Sequence, residues 1–290
     1  MKALILGAGG QLGLDLVTAA PSDFEIAALD RRALDITDQE LVHRFVADAR
    51  PDVILNAAAY TAVDRAEQER DLAWSINGDA VGYLARRAVE VDAHLIHIST
   101  DFVFDGTATE PYSPDATTNP TSEYGASKLE GESQALQSNA VTIVRSSRLY
   151  SGSGNNFVTT MLRLMGSRDE LSVIDDQVGS PTWSKNLADS LWRFAARSDL
   201  TGIWHWTDAG SCSWYEWAVA IQRQAMELDL LDRMVPIEPV STSDFPTAAT
   251  RPAYSVLDSS ATCTALAIGQ VPWKAALDSM LGQMANPDTP

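Results

Sequence analysis

The chain begins Lys2-Ala3-Leu4-Ile5-Leu6, turns through Gly7-Ala8-Gly9-Gly10-Gln11-Leu12-Gly13, and continues with Leu12, Leu16 and Ala20 at helical spacing. An aliphatic run, a glycine turn and an amphipathic stretch read as strand, tight turn and helix. Glycines let the backbone turn sharply and approach a ligand, while the helix N-terminus offers unpaired N–H groups and a positive dipole end. Such a turn can hold a pyrophosphate without any basic side chain. The strict G-x-G-x-x-G spacing is not kept, because Leu12 stands where its third glycine belongs; Gly7, Gly10 and Gly13 form G-x-x-G-x-x-G instead. A glycine cluster alone can be only a turn, but its position directly after the first strand favours a dinucleotide site.

The same alternation of short aliphatic runs and longer amphipathic stretches continues to about residue 150, the pattern of parallel strands covered by helices. Strands are expected at 2–6, 24–29, 53–55, 94–98 and 141–144, and a second helix buries the face of Leu41, Phe45 and Ala49. This predicts an α/β fold, a Rossmann-type doubly wound parallel sheet over 1–150, with a smaller C-terminal substrate-binding lobe in 151–290. A strand near 203–206 and a helix within 184–207 are expected to return to the main sheet. Pro236 to Pro252, rich in Pro, Ser and Thr, reads as a long surface loop, and Asn286 to Pro290 as a frayed tail.

Composition narrows the function. The 290 residues are 45% hydrophobic and 21% charged, ordinary for a globular protein with a sizeable core. Lys and Arg number 21 against 39 Asp and Glu, a net charge of -18 that excludes general nucleic-acid and anionic-membrane binding. Cys212 and Cys263 are too few for a disulfide framework and lack C-x-x-C spacing, which points to reduced thiols in the cytoplasm. The first apolar run is too short for a signal peptide, and no run reaches the roughly 18 residues that would span a bilayer.

Asp30 ends the second strand, where an acidic residue commonly accepts from the adenosine ribose and so favours NAD; a capped turn accounts for it equally well. Arg31 and Arg32 follow and are suited to a 2′-phosphate, which keeps NADP open. Farther on, Tyr124-Gly125-Ala126-Ser127-Lys128 places a phenol and an ammonium four residues apart on one helix face. A cation beside a phenol lowers its pKa and eases proton exchange with a carbonyl or alcohol oxygen. Thr100, in Ser99-Thr100-Asp101 at a strand's carboxyl end, supplies a second hydroxyl to the same oxygen. Other groupings read as structural. His94 and His97 face opposite sides of a strand, His43 and His205 stand alone, and no metal site is expected. Asp64 and Glu67 read as a capping box, Trp204, Trp206, Trp214 and Trp217 as core, and no G-x-S-x-G elbow occurs.

Several blocks carry a resemblance: Gly7 to Gly13, Leu34 to Thr37, Asn56 to Asp64, Ser99 to Gly106 and Tyr124 to Lys128, then Gly154 to Phe157, Asp176 to Thr182 and Arg251 to Ser255. The chain resembles the extended short-chain dehydrogenase/reductase superfamily and, within it, the dTDP-4-dehydrorhamnose reductase family; the blocks after Tyr150 are the specific ones. The resemblance implies NADPH- or NADH-dependent reduction of the C4 keto group of dTDP-4-dehydro-L-rhamnose. It implies that Tyr124 donates the proton, with Lys128 and Thr100 as the other catalytic residues. Gly10, Gln11 and Leu12 would face the pyrophosphate, with Gly7 and Gly13 also in the cofactor site, Asp30 the ribose, Asp35 and Ile36 the adenine, and Ala59, Tyr60 and Thr61 the middle of the cofactor. Tyr124 and Lys128 would also touch it.

On the substrate side the resemblance implies Thr100, Asp101, Phe102 and Arg148, together with Asn155, Gln177 and Arg251. Arg148 departs from the family, which commonly has tryptophan there, so it would stack on substrate or pair with a phosphate. Dehydratases of the superfamily carry glutamate after the Thr-Asp pair, where this chain has Phe102, which disfavours elimination. An epimerase, another nucleotide-sugar reductase or a noncatalytic dinucleotide-binding subunit are the remaining readings, in a monomer or homodimer.

Overall fold

In the computed structural model, which describes residues 1–286, strand β1 (Lys2–Leu6) alternates between two cores. Leu4 and Leu6 face one helical layer and Ala3 and Ile5 the other, all four buried. A strand apolar on both faces belongs inside a parallel sheet. Strands β2 (Glu25–Leu29), β3 (Val53–Asn56), β4 (His94–Thr100) and β5 (Val141–Ser146) join it, and Gly202–His205 completes six. Every neighbour is parallel, in the order β2, β1, β3, β4, β5, Gly202–His205. The fold is thus a Rossmann-type, doubly wound α/β sheet. The chain runs from β1 to β2 and crosses back to β3 on the other side, so the carboxyl ends of β1 and β3 flank the point where a crevice opens. β4 and β5 extend past their apolar runs because the ladder continues to the pair Thr100 and Ser146.

Helix α1 (Gln11–Thr18) buries Leu12 and Leu16 on the Ala3 and Ile5 face, and Ala20 lies beyond its end. The helix Ser184–Ala195 packs beside it, held where Trp192 Nε1 donates to Leu16 O at 2.9 Å. The opposite layer contains α2 (Gln39–Ala49) and the helices Ala80–Glu90 and Glu123–Ala135. On α2 the fully buried residues are Val42 and Val46; the expected face of Leu41, Phe45 and Ala49 is only partly buried. Apolar residues at 41, 42, 45 and 46 make a stripe wider than the contact, and its valine side meets the sheet.

Residues beyond β5 build a third core around Tyr150, Met165, Trp217 and Leu277, with helices Phe157–Ser167, Trp214–Glu227 and Trp273–Ala285. The expected loop 236–252 is a loop only in part. Ile237–Val240 pairs in parallel with Leu171–Ile174, and Pro239 is tolerated because a two-stranded sheet consists of edges. Of the tryptophans read as core, Trp206 and Trp217 are buried, whereas Trp204 and Trp214 are partly exposed. The capping box of Asp64 and Glu67 does not form: the helix Val63–Ala66 has no side-chain cap, and Asp64 turns to Arg251. The end of the expected frayed tail, residues 287–290, lies outside the described residues. Among the described residues no helix is long and apolar enough to cross a membrane.

Candidate active site

The glycine turn closes because its side chains are absent. At Gly7, φ is +77° and a Cβ would stand 2.6 Å from Ala58 N; at Gly13 it would stand 2.2 Å from Gly7 O. β1, β3 and α1 therefore meet backbone to backbone. Gly10 caps α1 without a side-chain hydrogen bond, which leaves the first-turn N–H groups directed outward. The crevice beside them, about 490 Å³, is lined by Gly7, Gly10, Asp30, Asp35, Ile36, Ala59, Tyr60 and Thr61. Gly13 lies beneath the turn and takes no part in the lining. Asp30 forms the capped turn, its Oδ1 accepting from Arg32 N at 3.0 Å and Ala33 N at 2.9 Å, while its side chain still borders the crevice. A backbone cradle with outward N–H groups and no Cβ fits a dinucleotide diphosphate.

A second cleft of about 580 Å³ shares Gly9, Gly10, Ala57, Ala59 and Thr61 with the first, so the two are continuous. It adds Gln11, Leu12, Thr100, Asp101, Phe102, Tyr124, Lys128, Arg148 and Asn155. The catalytic residues expected from sequence therefore share one cleft. Tyr124 stands on the first turn of Glu123–Ala135, whose N-cap Ser122 accepts from Gly125 N at 3.2 Å. The ring meets Phe102 edge-on at 5.5 Å between centroids. Asn77, in a π-helical turn Ser75–Asp79, accepts from Tyr60 N at 2.9 Å and donates to Tyr60 O and Ser127 Oγ, tying the crevice wall to the Tyr124 helix.

The electrostatics differ from the sequence expectation in one respect. Burial pushes the Tyr124 phenol up to about 12, with Asp101 adding to the rise and a Thr100 hydrogen bond opposing it. Lys128 does not lower it, because Nζ points away, to Ile98 O at 2.6 Å and His97 Nε2 at 3.2 Å. Burial pushes Lys128 itself down to about 8, opposed by Glu132. Burial also raises Asp101, whose carboxylate is held by Ser255 and Thr100.

Two substrate-side expectations fall elsewhere. Gln177 and Arg251 line a neighbouring cleft of about 270 Å³ with Phe157, Trp214 and Phe245. The Gln177 side chain is spent on Thr242 Oγ1 and Trp214 Nε1, and Arg251 forms a two-pronged pair with Asp64 at 3.0 and 2.6 Å. Arg148 borders the main cleft, but its Nη1 donates to Cys212 O at 2.7 Å and Nη2 to Gln177 O at 2.8 Å. The guanidinium lies 4.1 Å over Trp214, and burial lowers it to about 10.

Sequence reasoning missed the support beneath the site. Glu132, four residues past Lys128 on the same helix face, accepts from Ser99 Oγ and holds Arg145 through Nε at 2.9 Å and Nη2 at 2.6 Å, both side chains about 2% exposed. The repeat 124, 128, 132 was a signal for Glu132. Asn56, His97 and Trp214 carried none.

A family model described as "RmlD substrate binding domain" matches residues 1–286. A dTDP-4-dehydrorhamnose reductase of Aggregatibacter actinomycetemcomitans is 39% identical over 287 residues, covering 96% of this chain and 98% of its own. The crystal structure of a dTDP-4-dehydrorhamnose reductase from Clostridium acetobutylicum superposes with a TM-score of 0.91 at 40% identity, covering 97% and 98% of the two chains. That of the Bacillus anthracis enzyme, in complex with NADP, gives 0.91 at 39% identity, covering 96% and 98%. A glycine crevice joined to a Tyr, Lys and Thr cleft, and similarity over almost the whole length, make this chain a member of the dTDP-4-dehydrorhamnose reductase family.

Proposed function

We propose that the chain reduces the C4 keto group of dTDP-4-dehydro-L-rhamnose to give dTDP-L-rhamnose, with NADPH or NADH as reductant. The observation that carries this is the cleft in which Tyr124, Thr100 and Lys128 converge, continuous with a backbone cradle built for a diphosphate. The reduced nicotinamide, when bound, supplies the hydride. First-turn N–H groups of α1 hold the diphosphate, Gly10, whose own N–H donates to Gly7 O at 3.0 Å, lets it approach by having no side chain, Asp30 stands at the ribose, and Asp35 and Ile36 stand at the adenine. Ala59, Tyr60 and Thr61 form the wall beside the middle of the dinucleotide.

Tyr124 works in the direction reduction needs. With its pKa near 12 the phenol keeps its proton at neutral pH, and gives it up only to an oxygen that has become more basic than a phenolate. Thr100 presents its hydroxyl to the same oxygen, and Lys128, whose Nζ is turned to Ile98 O and His97, lines the cleft beside the nicotinamide end of the dinucleotide. Phe102 follows Asp101 where elimination requires a proton-transferring side chain, and its ring instead packs on Tyr124. Residues 151–183 and 207–286 serve as the substrate lobe. There Phe157, Trp214 and Phe245 line a cleft suited to a pyrimidine, and Arg251, paired with Asp64, borders it. Two thiols without a disulfide and a reductant drawn from a reduced pool fit a cytoplasmic enzyme.

The test is oxidation of NADH and NADPH, followed by absorbance, with the keto sugar nucleotide generated in situ. Oxidation that depends on the sugar and falls on the order of 10²- to 10⁴-fold in Tyr124→Phe, with dinucleotide binding retained, is the expected result. A folded protein that binds dinucleotide yet oxidises neither would sink the assignment.

A further inference from the structure

β3 and β4 pair with Asn56 opposite His97, and this sets a fully buried imidazole between two nitrogen atoms. Its Nδ1 lies 3.1 Å from Asn56 Nδ2, and its Nε2 lies 3.2 Å from Lys128 Nζ. Counting protons fixes the direction of each contact. Asn56 Oδ1 already accepts from Ala58 N at 3.2 Å, so the amide turns its Nδ2 donors toward the ring. An amide nitrogen only donates; Nδ1 must therefore accept, and a neutral imidazole then carries its single proton on Nε2. That proton points at Lys128 Nζ, which donates to Ile98 O at 2.6 Å. An ammonium has no lone pair to receive it, whereas a neutral amine has one.

We propose that His97, fixed by Asn56 as the Nε2–H tautomer, is a positioning residue that biases Lys128 toward the neutral amine until dinucleotide binds, so that binding at mildly alkaline pH takes up a proton from solvent at Lys128. The charged groups about the pair agree with this. Glu132, on the same helix, favours the ammonium, but Arg145 from β5 claims both of its oxygens; β3 contributes only the neutral Asn56. Burial keeps His97 well below the ordinary histidine range, so the ring does not compete for the proton, and it lowers Lys128 as well. Two phosphates entering the cleft supply the negative charge that restores the ammonium.

Nitrogen NMR of ¹⁵N-histidine-labelled, ligand-free protein reads the tautomer, and His97→Gln identifies the signal. At about pH 8 to 9, where the amine is well populated, a neutral ring protonated on Nε2 is expected; a proton on Nδ1, or an imidazolium, would overturn the proposal. A second measurement uses Asn56→Asp, which keeps the shape but turns an acceptor onto Nδ1, moves the proton there and leaves Nε2 to accept from an ammonium. Calorimetry of NADPH binding at pH 8, in two buffers of different ionisation heat, should give an uptake of about half a proton per site for the unmodified protein and close to none for the variant. Equal uptake in both would also overturn it. This second arm rests on the proposed function, and a protein that bound no dinucleotide would sink that reading while the tautomer still decided this one. The unmodified protein's spectrum decides alone if Asn56→Asp fails to fold.

Discussion

Arg148 shows how much of a side chain at a cleft can be taken up by the protein itself. It borders the cleft, as the resemblance implied, but two of its donors are committed to the carbonyls of Cys212 and Gln177, and its flat face to Trp214. Its backbone sits at φ +46°, a left-handed conformation that side chains other than glycine rarely adopt. The guanidinium clamp ties this strained position to Cys212 and Gln177. A lysine ammonium cannot span both carbonyls or stack on the indole. Arg148→Lys is expected to lose about 1–3 kcal/mol in denaturant unfolding and to raise KM for the sugar nucleotide several-fold, with KM for the dinucleotide unchanged. An unaltered unfolding midpoint would show that the clamp is dispensable. At this scale Tyr124, Lys128 and Thr100 were legible because helix spacing and a strand end declare them. Asn56 and His97 were not, because their contact depends on the register between β3 and β4, which no local pattern encodes.

For the elements, the same substitution should carry opposite signs in two helices. At Gly13 in α1 an added Cβ meets Gly7 O at 2.2 Å and Ala8 Cα at 2.6 Å, both backbone, so the turn and the helix must separate. Gly282, inside Trp273–Ala285, meets nothing within 4 Å. Gly282→Ala should therefore stabilise by about 0.5–1 kcal/mol, the ordinary helix gain. Gly13→Ala should destabilise and lower dinucleotide affinity by tenfold or more, read by thermal unfolding and by titration of bound NADPH fluorescence. Equal effects would mean that the glycine turn is not under steric control. The inner strands β1 and β3 were legible because they are aliphatic on both faces, the pattern that burial on both sides demands. Ile237–Val240 was not, since its two central residues, Glu238 and Pro239, are exposed and its pairing partner lies over sixty residues upstream. The face of α2 misread by one residue has the same origin: a wide apolar stripe leaves the choice of contact to tertiary packing.

Across the whole molecule the dominant fact is a net charge of -18, which the sequence alone declares. Two opposing electrostatic contributions decide how salt acts on it. Exposed ion pairs such as Arg197 with Asp199 and Arg233 with Asp169 weaken as salt rises, but pairs of this kind contribute little. The buried pair of Glu132 and Arg145 lies out of reach of mobile ions, and its stabilising effect is scarcely screened. What remains is repulsion among many carboxylates spread over the surface, which acts at separations comparable to the Debye length. That length shrinks from about 30 Å at 0.01 M salt to about 8 Å at 0.15 M, so the repulsion falls while the interior pair persists. The thermal midpoint should thus rise by several degrees over that interval in sodium chloride, most of it before about 0.15 M. A falling midpoint would mean that local pairs outweigh the net charge, and Asp199→Asn or Asp169→Asn would then have to abolish the salt dependence. With repulsion dominant, either substitution should instead leave that dependence almost unchanged, since each removes only one negative charge from an excess of eighteen.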